Sequence, residues 1–308
     1  MDISFNTFTF IVEAREILLL PYFKGSTLRG GFGNAFKQIV CALKKNSCLD
    51  CLLKEKCVYC YVFETPPPAD TKIMKKYDTA PHPFILEPPM GKERTYKPGE
   101  TLSFGFTLMG KALAYLPYFI YAFDELGRIG IGKGRGKFFL KNVLCNRKIV
   151  YNSEEKAISP CEPSLISIGF NEGVVDMPPE LEISFLTPTR ITYDKHLILD
   201  LEFHILVRSL LRRLSLLHYF HCNGTQPEWD FRALIDKATE ITVKNRDLRW
   251  FDWERYSARQ DTRMKLGGFT GKILFEGNIG PFMSLIKAGA VLHVGKGTSF
   301  GLGGYVIV

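Results

Sequence analysis

Gly295-Lys-Gly-Thr-Ser-Phe-Gly-Leu-Gly-Gly304 stands just before the last apolar run, Tyr305 to Val308. Gly127-Arg-Ile-Gly-Ile-Gly-Lys-Gly-Arg-Gly-Lys137 holds the matching place in the first half, before Phe138 to Val143. Working back from the first loop, Ala112 to Leu126 has a helical pattern with its start blurred by Pro117, and Thr101 to Met109 alternates as a strand does. Pro66 to Pro98 is proline-rich and reads as irregular with short strands. Before it a helix is predicted from Ser26, as N-cap, to about Leu43, with Leu28, Phe32, Phe36, Ile39 and Leu43 on one face. Phe5 to Ala14 is a strand, and Pro21 to Gly25 the turn after it.

The second half repeats that order. Leu181 to Leu186 is a strand and Pro188-Thr-Arg190 a turn. Asp200 to His221 is a long helix that buries Phe203, Leu206, Val207, Leu210, Leu214 and Leu217. Gly271 to Phe275 is a strand, Ile279 to Lys287 a short helix and Val291 to Val294 a strand. The pattern predicts an α+β protein of two tandem ferredoxin-like (RRM-like) β-α-β-β-α-β domains. Their spans are 1–150 and 180–308, joined by a proline-bearing linker over 151–179.

The 308 residues agree with two domains at roughly 150 residues each. An apolar fraction of 46% and a charged fraction of 23% exclude a disordered or low-complexity chain. No apolar run approaches the roughly 18 residues of a membrane span, and Met1-Asp-Ile-Ser-Phe5 has no secretory pattern, so a cytoplasmic protein is expected. The net charge of +8 suits a polyanionic partner.

Gly127 to Lys133 spells G-x-x-x-x-G-K, but Gly134 stands where a phosphate loop needs Ser or Thr for Mg²⁺. The loop also leaves a helix and enters a strand, the reverse of phosphate capture by a helix N-terminus. ATP and dinucleotide binding are excluded on this ground. Lys133, Arg135 and Lys137 in one loop, and Lys296, Thr298 and Ser299 in the other, are candidates for phosphates and 2′-hydroxyls of a nucleic acid. The alternative is that the glycines only make tight turns. Lys244 to Lys265 adds seven cations against four anions, with Trp250, Phe251, Trp253 and Tyr256 interleaved, as where bases stack beside phosphates.

Cys41, Cys48, Cys51, Cys57 and Cys60 give C-x6-C-x2-C-x5-C-x2-C. Clustering of this kind points to metal, and four thiolates suffice for a tetrahedral zinc or an iron–sulfur cluster. Cys145, Cys161 and Cys222 are isolated and read as core residues, and a cytosolic chain argues against disulfides.

Gly25-Ser-Thr-Leu-Arg-Gly30 after a first strand resembles the RAMP superfamily of CRISPR-associated RNA-binding proteins. Cys57 to Glu64, Phe185-Leu-Thr-Pro-Thr-Arg190, Arg255-Tyr-Ser-Ala-Arg-Gln260, Gly267-Gly-Phe-Thr-Gly271 and the Gly295–Gly304 loop are similar to one branch of it, the sixth Cas protein family. Its members are endoribonucleases that cut CRISPR precursor RNA within each repeat. The resemblance implies metal-independent cleavage, in which a 2′-hydroxyl attacks the adjacent phosphate and leaves a 2′,3′-cyclic phosphate and a 5′-hydroxyl. It implies repeat RNA as partner, with other Cas proteins of an effector complex as further partners and no membrane. It selects Cys41, Cys48, Cys51 and Cys57 as metal ligands, zinc by default with iron–sulfur left open; Arg190 of its motifs joins Arg255, Arg259, Arg263 and Lys265 of the basic-aromatic segment as candidate RNA contacts.

The reaction needs a base, an acid and positive charge for the phosphorane oxygens. Members of the branch often carry Gly-x-Phe-Gly-His on the first helix; here the stretch is Gly30-Gly-Phe-Gly-Asn34. Asparagine cannot exchange a proton by titrating. None of the six histidines is a clear replacement: His82 and His196 lie in loops, His204, His218 and His221 on the second-half helix, and His293 before the last loop. As some members use lysines and arginines instead, Lys24 or Lys37 is assigned as base or acid, Arg29 as phosphate clamp, and Tyr22 and Asn34 as positioning groups. The alternative function is a RAMP subunit that binds guide RNA without cutting it.

Overall fold

Strand β1, Asp2–Ala14, begins the chain, and its register with later strands organises the first half. The computed structural model describes all residues except 45–46, 49, 69–70, 72, 75–77, 171–178, 253 and 258–261; at 254–257 and 262–265 it describes the backbone alone. After β1 come β2 (Leu18–Leu19), α1 (Gly25–Val40), β3 (Phe84–Glu87), β4 (Thr95–Tyr96), β5 (Thr101–Met109), α2 (Leu116–Ile129), β6 (Phe138–Cys145), β7 (Lys148–Asn152) and β8 (Ser164–Ser167). The second half holds β9 (Glu180–Thr189), β10 (Thr192–Tyr193), β11 (His196–Leu197), α3 (Phe203–Leu217), α4 (Phe231–Ala238), β12 (Thr242–Phe251), β13 (Glu254–Ser257), β14 (Thr262–Lys265), β15 (Gly268–Glu276), α5 (Met283–Leu292) and β16 (Tyr305–Ile307). Among the described residues no helix is long and apolar enough to cross a membrane.

Contacts divide the chain into two units. One holds Ile3–Leu165 with Phe220–Asn223; the other holds Met1–Asp2, Ile166–Tyr219 and Gly224–Val308. The stretch expected as a linker is thus shared between them, and its residues 171–178 lie outside the described residues.

In the N-terminal unit the sheet runs β3-β5-β1-β6-β7, with antiparallel neighbours. The inward faces of β1 and β5 present Phe8, Phe10, Phe104 and Phe106, alternating as a half-buried strand must. Onto them pack Phe32 and Phe36 of α1 and Phe119 and Phe123 of α2; Phe32 and Phe123 stack with centroids 4.7 Å apart. Pro117 sits in the first turn of α2, where its missing N–H costs no helix bond, and a 3₁₀ turn over Gly110–Tyr115 precedes it. Helix α1 ends at Val40, short of the expected Leu43, and is capped by Lys24 rather than Ser26.

In the C-terminal unit the sheet runs β12-β15-β9-β16. All six residues expected on the buried face of the long helix are buried in α3. Two expectations need correction. Pro188 to Arg190 is not a turn after the strand, because β9 continues to Thr189. Val291 to Val294 is not a strand: α5 runs through Leu292, and His293 ends it with φ +59° and ψ 170°.

Candidate functional site

The first glycine loop is built on backbone contact. Ile131 bridges to Gly136, and the Lys133 N–H donates to the Leu19 carbonyl at 2.9 Å. At Gly132 (φ +74°) a Cβ would collide with that same carbonyl oxygen. The glycines thus make the turns the bland alternative expected. The tip they hold out, Lys133, Gly134 and Arg135, is exposed, and Lys137 is exposed with its Nζ 3.6 Å from Glu16.

The second loop is packed more deeply. Lys296 is exposed, its N–H donating to the Arg190 carbonyl at 2.9 Å. Thr298 and Ser299 are buried, so the unit does not present them to a ligand as expected. A Cβ at Gly303 (φ +75°) would strike the Val294 carbonyl oxygen. Arg190 is half-buried, donates to the Gly267 carbonyl at 2.8 Å, and has its pKa lowered by burial.

Sequence reasoning passed over Arg213. It lies on the apolar stripe of α3, and its Nε donates to the carbonyls of Leu292 and His293 at the end of α5. Burial pulls its pKa down to about 9. The His293 ring donates from Nδ1 to the Leu302 carbonyl at 2.9 Å, and burial lowers its pKa to about 4. A cation between Leu210 and Leu214 was the available signal.

Segment 244–265 forms β12 and the β13–β14 hairpin. Trp250 and Phe251 are partly exposed. Lys244 pairs with Glu180 and Glu276, Arg246 with Asp200 and Glu202, and Arg249 with Asp247, which offsets part of the expected basic charge. Arg255, Arg263 and Lys265 lie in the hairpin, described as backbone; Arg259 and Trp253 lie outside the described residues.

The five candidate catalytic residues surround the start and one side of α1. Tyr22 and Asn34 are exposed. Lys24 is fully buried; its Nζ donates to the Gly91 carbonyl at 3.1 Å and the Tyr22 carbonyl at 3.5 Å. Burial lowers its pKa, with Glu93 opposing. The Arg29 guanidinium lies 5.0 Å from the Phe63 ring centroid and the Lys37 ammonium 5.3 Å from the Tyr59 ring centroid. The side of α1 that carries Arg29 and Lys37 is therefore lined by aromatic rings. Of the histidines in this unit, His82 Nδ1 bonds Thr65 Oγ1 at 2.8 Å, and His221 Nε2 donates to the Pro81 carbonyl with its Nδ1 3.1 Å from the Tyr61 hydroxyl.

Cys41 caps the end of α1, and Cys60 opens the π-helical turn Cys60–Glu64. Burial, then Glu64, raises the Cys48 thiol pKa, with Cys57 and Cys41 adding to it; burial, then Cys48 and Cys57, pushes Cys60 up to about 11. The donors have the chemistry of a zinc or iron–sulfur site and are electrostatic neighbours. As placed they do not fit one: among the described residues no three His, Cys, Asp or Glu side chains are arranged to hold an ion. The expectation for Cys145 and Cys161 is overturned. Their sulfurs form a disulfide, because the chain after β7 returns to Asn6 of β1, whose side-chain amide donates to the Cys161 and Glu162 carbonyls.

Comparison with known proteins then gives the class. Residues 3–163 match a family model described as an N-terminal domain, and residues 183–305 match the model of the CRISPR-associated endoribonuclease Cas6. An uncharacterized protein of Archaeoglobus fulgidus is 26% identical over 292 residues, 92% of this chain and 91% of that protein. The chain is similar in fold to a Cas6 product complex (TM-score 0.59, 17% identity, 99% of each chain) and to Thermus thermophilus Cas6 (TM-score 0.54, 15% identity, 99% of each chain). A partial Cas6-RT-Cas1–Cas2 complex matches 99% of this chain and 46% of its own (TM-score 0.58, 13% identity). The chain thus shares the fold of these Cas6 structures, and its C-terminal part matches the Cas6 family model. Residues 183–305, less than half of the chain, are what carries the match to the Cas6 family model.

Proposed function

We propose that the protein binds CRISPR repeat RNA and cuts it once per repeat without a metal, by attack of a 2′-hydroxyl on the adjacent phosphate. The observation that carries this reading is the exposed Lys133–Arg135 tip on a chain whose C-terminal half matches the Cas6 endoribonuclease model. The tip supplies sequence-independent phosphate contact. Each unit repeats the β-α-β-β-α-β order. The sheet orders β3-β5-β1-β6 and β12-β15-β9-β16 are equivalent, which supports the tandem ferredoxin-like reading.

For the chemistry, Tyr22 and Asn34 are the most exposed members of the α1 set, and they orient the scissile phosphate. Lys24 is the member whose pKa is moved toward neutrality, as a proton-transfer group requires. Arg29 and Lys37 supply positive charge along the same helix. Cys41, Cys48, Cys51 and Cys57, which the structure does not bring together as a site, would have to draw in to hold the expected structural metal; metal content of the purified protein by mass spectrometry tests it, and a metal-free, fully folded protein contradicts it. A second reading, guide-RNA binding without cleavage, is favoured by Asn34 alone. Incubation with the cognate repeat RNA in EDTA separates the two: the first predicts one cut with a 2′,3′-cyclic phosphate, the second a bound, intact RNA.

A further inference from the structure

The α1 set and the glycine loop leave a groove of the N-terminal unit unexplained. It lies between α2 and the β6–β7 hairpin and encloses about 540 Å³, the size of a small-ligand site. Its rings are Tyr121, Phe138, Phe139 and Tyr151; its cations are Arg15, Arg128 and Lys156; its one carboxylate is Asp124.

Tyr121 is 51% exposed on the rim, a large aromatic surface facing water. The Arg15 guanidinium lies 5.0 Å from the Phe139 ring centroid, and Lys156, also in the lining, is exposed. The turn that carries Lys156 is braced, its N–H donating to the Asn152 carbonyl at 2.9 Å and the Ser159 N–H to the Val150 carbonyl at 2.8 Å. Arg128 pairs with Asp124 at 2.7 Å, but the pair is solvent-exposed and worth little against a phosphate. Rings beside an excess of cations are the surface that a single-stranded nucleic acid fits, bases on the rings and phosphates on the cations. An acidic peptide would use the cations but leave the rings unexplained. The groove also adjoins the first glycine loop: the Arg15 N–H donates to the Lys137 carbonyl at 2.9 Å.

We propose that this groove holds one unpaired nucleotide of the RNA whose backbone meets the Lys133–Arg135 tip, its base against Tyr121 and Tyr151 and its phosphate at Arg15 and Lys156. The inference rests on the RNA-binding reading above and names a contact that reading does not contain.

The test is fluorescence anisotropy with labelled repeat RNA at two salt concentrations, on the full chain. Tyr121→Ala should weaken binding at least fivefold, as loss of a base–aromatic stack does, while Tyr121→Phe binds within about twofold of the parent. Lys156→Ala should flatten the log–log salt slope by about 0.7. Both side chains are exposed, so unchanged melting temperatures show that the variants fold. If the parent binds RNA and both Tyr121→Ala and Lys156→Ala match it in affinity and slope, the groove is not a nucleotide site and the wider reading stands. If Tyr121→Phe loses as much as Tyr121→Ala, stacking is overturned. If the parent does not bind repeat RNA, the wider reading falls and takes this one with it.

Discussion

Arg213 holds the backbone of His293 in place, its Nε donating to the His293 carbonyl at 3.1 Å and to that of Leu292 at 2.9 Å. The anchored residue has φ +59° and ψ 170°, a region that suits glycine and costs other residues on the order of 1–3 kcal/mol. The His293 ring then bonds Leu302, so one strained residue joins the two ends of the second glycine loop. The cation also sits at the C-terminus of α5, the end of a helix that favours positive charge.

This buried ring makes stability pH-dependent. Its pKa of about 4 in the folded chain lies below the ordinary histidine value of 6.5, so between those values the unfolded chain binds more protons. Stability therefore rises with pH across that window and is lost as pH falls from 6.5 towards 4. The full effect is on the order of 3 kcal/mol. Urea unfolding at pH 7 and pH 4.5 should show it, and His293→Asn, which does not titrate, should flatten the dependence. An equal slope in parent and variant would contradict the assignment.

Lys24→Ala removes the donor to the carbonyls of Tyr22 and Gly91 and empties the buried space of the lysine stem. Loss of buried methylenes leaves a cavity and is destabilising, so the melting temperature should fall. If Lys24 also moves a proton, cleavage should slow more than tenfold at temperatures where the variant is fully folded. A normal single-turnover rate in the folded variant would remove Lys24 from the chemistry, and the same measurement on Lys37→Ala tests the other candidate.

Neutralising the exposed tip should act on affinity rather than on fold. Lys133→Ala and Arg135→Ala should each weaken RNA binding and together reduce the log–log salt slope by about 1.4, at roughly 0.7 per phosphate contact on a single strand. Lys296→Ala is expected to do the same by one contact. Unchanged slopes in all three would mean that the loops only turn the chain.

The Cys145–Cys161 bond closes a loop with a sequence separation of 16. Loop closure of that length stabilises by about 3 kcal/mol in the chain-entropy account. Alkylation of the metal-stripped, denatured protein should count six thiols before reduction, matching the free cysteines of the structure, and two more after it. Eight thiols before reduction would contradict the bond.

Much of this was legible in the sequence, and the limits are physical. The burial stripe of α3 and the alternation of β5 were readable because each periodicity is local. The end of α5 was not. Val291 and Leu292 suit a strand by composition, and it is the Arg213 hydrogen bonds, from a residue some 80 positions earlier, that carry the helix to Leu292. Thr298 and Ser299 looked like surface hydroxyls because a glycine-rich stretch reads the same whether it projects or folds inward. Lys24 and Arg29 were found by position after the first strand, but the burial of one and the ring beside the other come from Gly91 and Phe63, which no local pattern connects to α1. The Cys145–Cys161 pairing depends on chain return past Asn6, again a long-range event.

The most direct test of the cleavage reading is a repeat RNA carrying one 2′-deoxynucleotide immediately 5′ to the mapped cut, incubated with the protein in EDTA. The account predicts full binding and no product from this RNA, against a single cyclic-phosphate product from the all-ribose strand. Cleavage of the deoxy-substituted strand at the same bond, or an all-ribose strand that stays intact on the protein, would contradict it.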